Sequence, residues 1–145
     1  MALVIDHVVD IDAPPATVWR ILTDFDEYEH WNPLAVRCAT TLVPGDPIDM
    51  RVRLGPGRLL KQREWVRTCT PGQEFSYAMK PIPLGLLQSL RTQELTAIEG
   101  NRTRYTAHFE IQGFLQPLVR VLLGGALRRG FDGVAAGLKA RAEGH

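Results

Sequence analysis

The chain has 145 residues, 45% of them hydrophobic and 23% charged, with a formal net charge of +1. This balance excludes a disordered or collagen-like chain, and it gives no electrostatic case for nucleic acid or an anionic membrane as the main partner. A chain of this length buries roughly 70% of its unfolded surface, so a single domain over residues 1–145 is expected.

The opening segment "LVIDHVVDIDA" is β-branched, and Ile5, His7, Val9 and Ile11 share one face by period two. That pattern predicts a strand. The N-terminus has no basic region and carries two acids in its first ten residues, unlike a signal peptide. No apolar run reaches the ~18 residues a membrane helix needs. A cytoplasmic protein without integral membrane contact is expected.

"PPATVWRILTDF" begins with two prolines, which suit a helix start, and sets Val18, Ile21, Leu22 and Phe25 at helical spacing. "DEYEHW" reads as one more short turn of helix, stopped by Asn32-Pro33. Asp24, Asp26, Glu27, Glu29 and His30 crowd together here, as a metal site or acid–base pair would require. The three-residue spacing of Phe25, Tyr28 and Trp31, however, puts the aromatics near one face, so Asp26, Glu27 and Glu29 project to solvent. Metal ligands must converge, and these diverge. The stretch therefore reads as a helical closure packing one end of a curved sheet, with Trp31 as a candidate to touch a ligand.

Strand patterns then follow in quick succession. "AVRCATTLV" ends at Pro44-Gly45-Asp46-Pro47. "IDMRVRL" alternates, with Ile48, Met50, Val52 and Leu54 inward. Gly55-Pro56-Gly57 reads as a turn. In "LLKQREWVRTCT" both faces are half polar, so the alternation leaves open whether Gln62, Glu64 and Val66 or Arg63, Trp65 and Arg67 face inward. "EFSYAMK" aligns Phe75, Tyr77 and Met79. The prolines of "PIPLGLL" exclude a central strand, and the 81–87 loop reads as tucked onto the core, as a rim over a cavity or as a contact for a partner. "SLRTQELTAIE" and "RTRYTAHFEIQG" are two more strands, the second presenting Tyr105, Ala107, Phe109 and Ile111 to one side.

From Leu115 to Ala142 apolar residues recur at i, i+3, i+4 and i+7: Leu115, Leu118, Val119, Leu122, Leu123, Ala126, Leu127, Phe131, Val134 and Leu138. This predicts one helix about 40 Å long. Gly124-Gly125 inside it reads as close packing or a kink, with a bend over a ligand as the alternative. Cys38 and Cys69 form no metal-site spacing and read as free thiols behaving as small hydrophobes. No metal and no cofactor is called for.

One strand, a helical excursion, six strands and one long helix imply an antiparallel sheet whose apolar face only the last helix can cover. "IDAPPATVWRILTDFDEYEHWNP" and the ending "RTRYTAHFEIQGFLQPLV…RRGFDGVAAGLKARAE" resemble the SRPBCC superfamily, the START and polyketide-cyclase group. The resemblance implies an α+β helix-grip fold: a seven-stranded curved antiparallel sheet around a long C-terminal helix, with two short helices between strands 1 and 2. It also implies an apolar cavity between sheet and helix, and no fixed catalytic set. Bacterial relatives often carry a Glu-His pair in the sixth strand, where this chain has Thr92-Gln93. No facial triad or Rieske pattern is present.

By parity Arg91 and Gln93 point inward if Leu95 does. The preferred reading of Arg91 is a sheet-edge residue reaching solvent, and the alternative is a group holding a ligand carboxylate or keto oxygen. Tyr77 and Tyr105 lie on apolar faces. Trp31, Met50, Tyr77, Arg91, Gln93, Tyr105, Phe109, Leu123, Leu127 and Phe131 are the candidate cavity residues. His7 reads as structural and His108 as exposed.

The leading functional expectation is binding of a small hydrophobic molecule. A cyclase/dehydratase-type enzyme and a protein-interaction module resembling chaperone-ATPase activators are the alternatives. A second copy of the chain is a candidate partner through an exposed 81–87 loop. The order rests on the lack of an assigned acid or base in the cavity. A buried His7, Glu64 or Glu94 there would put the enzyme ahead, and a cavity too small for a ligand would favour the interaction module.

Overall fold

A computed structural model describes residues 2–54 and 59–144. The elements are β1 (Leu3–Ile11), α1 (Pro15–Thr23), a 3₁₀ helix (Phe25–His30), β2 (Ala35–Thr40), β3 (Pro47–Val52), β4 (Leu60–Thr70), β5 (Glu74–Ala78), β6 (Gln88–Ile98), β7 (Arg102–Gln112) and α2 (Gln116–Ala142). The turn expected at Gly55-Pro56-Gly57 lies outside the described residues.

The seven strands form one antiparallel curved sheet in the order β1-β7-β6-β5-β4-β3-β2. Every step but one is a hairpin. The exception is β1, which pairs with β7 from Leu3 opposite Ile111 to Ile11 opposite Thr103. The period-two pattern of β7 explains its place beside the helix: Thr103, Tyr105, Ala107, Phe109 and Ile111 are all buried. This is the helix-grip fold, with α2 lying against β1 and β7.

The two halves of α2 are held differently. In the second half Leu127, Phe131, Val134, Ala135 and Leu138 are buried. Three glycines let the Trp31–Leu34 turn sit directly on this half. A Cβ on Gly137 would lie 2.1 Å from the Trp31 carbonyl oxygen, one on Gly133 2.5 Å from Pro33, and one on Gly130 2.7 Å from Leu34. Asn32 fixes the turn, its Oδ1 accepting from the backbone N–H of Leu34 (3.0 Å) and Ala35 (2.8 Å). Phe25, Tyr28 and Trp31 meet edge to face behind it, as aromatic pairs prefer. Asp26 and Glu29 are exposed, so the acidic cluster is surface around an aromatic closure.

In the first half the expected stripe is too wide. Val119 and Leu123 are half-buried, but Leu115, Leu118 and Leu122 are exposed. One face of a helix can meet the sheet, and residues one step round it meet water. Gly124 and Gly125 are not required by a close approach to the sheet: a Cβ there would meet only the side chains of Arg120 and Arg129.

Candidate functional site

β6 carries the polar core of the molecule. Arg91, Gln93 and Leu95 are buried while Glu94 is exposed, so the strand alternates as period two requires. In the register Arg91 stands between Tyr77 on β5 and Phe109 on β7. The sheet-edge reading of Arg91 is therefore corrected: β6 is central, with neighbours on both sides, and Arg91 is only 4% exposed.

Between the sheet and the first half of α2 lies a cavity of about 230 Å³. Met50, Val52, Phe109 and Ile111 form its sheet wall, and Val119, Leu123, Leu127 and Phe131 its helix wall. Gln62, Glu64, Tyr77, Ser89 and Arg91 are its polar groups. A deeper gap of about 20 Å³, roughly the room one water needs, continues behind Tyr77, Arg91 and Phe131 to Gln93 and Phe75.

Of the candidate residues, Met50, Tyr77, Arg91, Phe109, Leu123, Leu127 and Phe131 line the main cavity and Gln93 lines the deeper gap. Two do not. Tyr105 is wholly buried beneath the cavity and donates its hydroxyl to Gln93 Oε1. Trp31 packs into the glycine groove of α2, so its aromatic face closes the core instead of the cavity.

Arg91 is incompletely satisfied. Its guanidinium carbon sits 4.2 Å over the Phe131 ring, and Nη2 makes only long bonds, 3.4 Å each, to Gln93 Oε1 and the Tyr105 hydroxyl. Nε and Nη1 have no hydrogen-bond partner. A buried cation without a paired carboxylate is costly.

Glu64 is the residue the sequence left open. It is 7% exposed and lines the same cavity, so Gln62, Glu64 and Val66 are the inward set of β4. Polar residues on both faces of β4 hide this alternation from the sequence, and the pairing with β5 shifts register just beyond it, between Val66 and Thr68. Gln62 Nε2 donates to Glu64 Oε2 at 2.6 Å. Burial pushes the Glu64 carboxyl pKa up, against smaller downward pulls from that bond and from the Arg91 charge. Burial likewise raises the Tyr77 hydroxyl. Glu64 and Arg91 feel each other across the cavity and form no ion pair.

The remaining titratable candidates lie elsewhere. His7 ties β1 to α2 by bonding Asp132. His108 is half-buried on the outer face between Asp6 and Glu110. Cys38 and Cys69 are half-buried free thiols. Among the described residues no three His, Cys, Asp or Glu converge on a metal position, and no helix is long and apolar enough to cross a membrane.

The family model described as polyketide cyclase/dehydrase and lipid transport matches residues 2–143. The chain belongs to that family. Among solved structures, it is similar in fold to the Zhui aromatase/cyclase of a Streptomyces species, with a TM-score of 0.79 at 14% identity over 99% of this chain and 94% of that one. It also resembles a START superfamily protein from Mycobacterium smegmatis, TM-score 0.70 at 17% identity over 97% of both chains. A protein from Arthrobacter aurescens gives 0.74 at 18% identity over 97% of this chain and 86% of that one. No curated protein matches the chain by sequence. The likenesses establish the helix-grip fold; the chemistry has to be argued from the cavity.

Proposed function

We propose that this family member binds a small, mostly apolar molecule bearing a keto oxygen in the cavity and performs acid–base chemistry on it, of the cyclase/dehydratase kind. One observation carries the reading: Glu64 and Arg91, opposite in charge and both buried, share the wall of one apolar cavity without pairing. The sequence placed passive binding first for want of an acid or base in the cavity, and Glu64 supplies one. The cavity, about 230 Å³, is smaller than the roughly 300–1,000 Å³ typical of ligand sites, but its apolar walls and convergent polar groups support a small ligand over the interaction-module alternative.

The chemistry follows from the two groups. The Glu64 carboxylate takes a proton from the carbon next to a ketone, and the C–H electron pair becomes an enolate whose oxygen charge Arg91 stabilises. The enolate carbon attacks a second carbonyl carbon of the same chain, and the C=O pair moves onto its oxygen. Protonated Glu64 returns the proton there, giving a hydroxyl, and loss of that hydroxyl with a neighbouring proton releases water. No redox partner is consumed. The raised Glu64 pKa brings the group nearer the pH at which it must both take and give a proton.

The apolar lining and the family description also support carriage without chemistry, so the test separates the two. Fluorescence titration with anilinonaphthalene sulfonate, an apolar anion, reads binding; hydrogen–deuterium exchange of α-tetralone, followed by NMR, reads proton abstraction. The expectation is saturable dye binding weakened at least about tenfold by Arg91→Met. Exchange is catalysed by the wild type and lowered about 100-fold or more by Glu64→Gln, with dye binding retained. Binding without catalysed exchange overturns the enzyme reading in favour of carriage. Absence of both overturns the cavity reading.

A further inference from the structure

The half-exposed lining of the cavity, Leu54, Met79, Leu87, Val119 and Leu123, lies at one end of the sheet. Register places the adjoining ends of β3 and β4, the β5–β6 loop and the start of α2 together there: Val52 stands opposite Leu60, Tyr77 opposite Arg91, and Gln88 opposite Gln112. The loop is bolted to the helix start, Phe114 and Leu115 donating their backbone N–H to the carbonyls of Gly85 (3.1 Å) and Leu86 (2.9 Å). Gly113 permits the crossing: its φ is +120°, and a Cβ would meet the Leu86 carbonyl oxygen at 2.5 Å.

This rim is apolar and in water. Leu84 is 88% exposed, Phe114 80%, Val121 81% and Leu122 68%, with Leu118 beside them. Exposed apolar residues grouped in this way mark an interaction surface.

Its charge identifies the occupant. The connections at this end and the first turns of α2, residues 53–54, 59, 79–87 and 113–122, carry Arg53, Lys80 and Arg120 and no acid, and Arg51 and Lys61 flank them on β3 and β4. Arg51, Arg53, Lys61, Lys80 and Arg120 are exposed there. The far end carries the acidic turns, with Asp46 and Glu99 between successive strands and Glu74 opening β5. A net charge of +1 thus conceals a molecule that is basic and apolar at one end and acidic at the other. A second copy docked rim to rim would bring like charges together. An anionic surface with an apolar interior satisfies both features.

We infer that the rim formed by the 82–87 loop and residues 114–122 docks on an anionic phospholipid bilayer, presenting the cavity's half-exposed end to the membrane. This is peripheral contact through an exposed rim, and it departs from the expectation drawn from net charge alone. It stands apart from any chemistry in the cavity, and its test needs no ligand.

The full chain is sedimented with vesicles of phosphatidylcholine and with vesicles also containing phosphatidylglycerol, at low and high salt. Binding is expected only to the anionic vesicles and only at low salt. Lys80→Gln and Arg53→Gln should each lower the partition about fivefold. Val121→Glu with Leu122→Glu should abolish it while leaving the melting temperature unchanged, since both side chains already stand in water. Equal binding to both vesicle types, binding to neither, or no effect of the double substitution overturns the inference. So does a dimer, measured by light scattering, that the double substitution dissociates, which assigns the rim to a second copy.

Discussion

The two halves of α2 meet the same sheet in opposite ways. Residues 130–138 are locked: three glycines admit the Trp31–Leu34 turn against the helix backbone, and Phe131, Val134 and Leu138 complete the core. Residues 116–125 are loosely roofed: Val119 and Leu123 look into a cavity, and Leu118, Val121 and Leu122 look into water. Glycines occur in both halves, but they serve close packing only in the second. One helix can thus combine a rigid anchor with a face that admits a ligand, because stability is supplied at the end away from the cavity.

The sharpest way to break this contrast is Gly137→Ala. Alanine is the better helix former by about 1 kcal/mol, so an unconstrained helix would gain stability. Here the new Cβ would fall 2.1 Å from the Trp31 carbonyl oxygen, and neither backbone can step aside easily. Overpacking of this kind costs typically 1–3 kcal/mol or more. A net loss of about 2 kcal/mol is expected, read as a fall of roughly 4–8 °C in the thermal midpoint. A stabilised variant would mean that the turn is not seated on the helix.

Much of this was legible in the sequence, for physical reasons that differ by region. The strands and α2 follow from apolar period, and β7 and α2 are predicted within a residue or two of their observed ends. The aromatic spacing of Phe25, Tyr28 and Trp31 marked the closure correctly, yet Trp31 was placed at the ligand because helical spacing says which residues share a face and not what that face meets. Glycines 130, 133 and 137 carry a helical spacing, but their partner turn lies about a hundred residues earlier in the chain. Glu64 was hidden by a strand half polar on both faces. The charge division shows only when strand ends are sorted by which end of the sheet they reach.

Glu64 sharpens the contrast from the cavity side. Its folded pKa is raised by burial, so the folded protein holds this proton more tightly than the unfolded chain does. Stability therefore falls as pH rises from the unfolded value, about 4.3, through the raised folded one. Glu64→Gln removes the charge and keeps the shape. It should raise the thermal midpoint at pH 7 by about 3 °C and give no gain near pH 4. Calorimetry across that range checks it. A loss of stability at pH 7 would mean that the carboxylate holds the fold together, and Glu64 would then belong with the locked half.

The smallest expected effect has the opposite sign to the first. Gly125→Ala lies twelve residues before Gly137 on the same helix. A Cβ there meets only Arg129 Nη1, at 3.2 Å, the far end of a flexible side chain on an exposed face. The substitution should therefore collect the helix-propensity gain of about 0.5–1 kcal/mol, a rise of roughly 2 °C. If it destabilises instead, α2 needs glycine there for a bend, and the roof of the cavity is as tightly built as its anchor. If it stabilises but slows the uptake of anilinonaphthalene sulfonate, the glycine keeps the roof compliant for ligand entry. The same change from glycine to alanine thus distinguishes a helix face that carries the fold from one that gives way to a ligand.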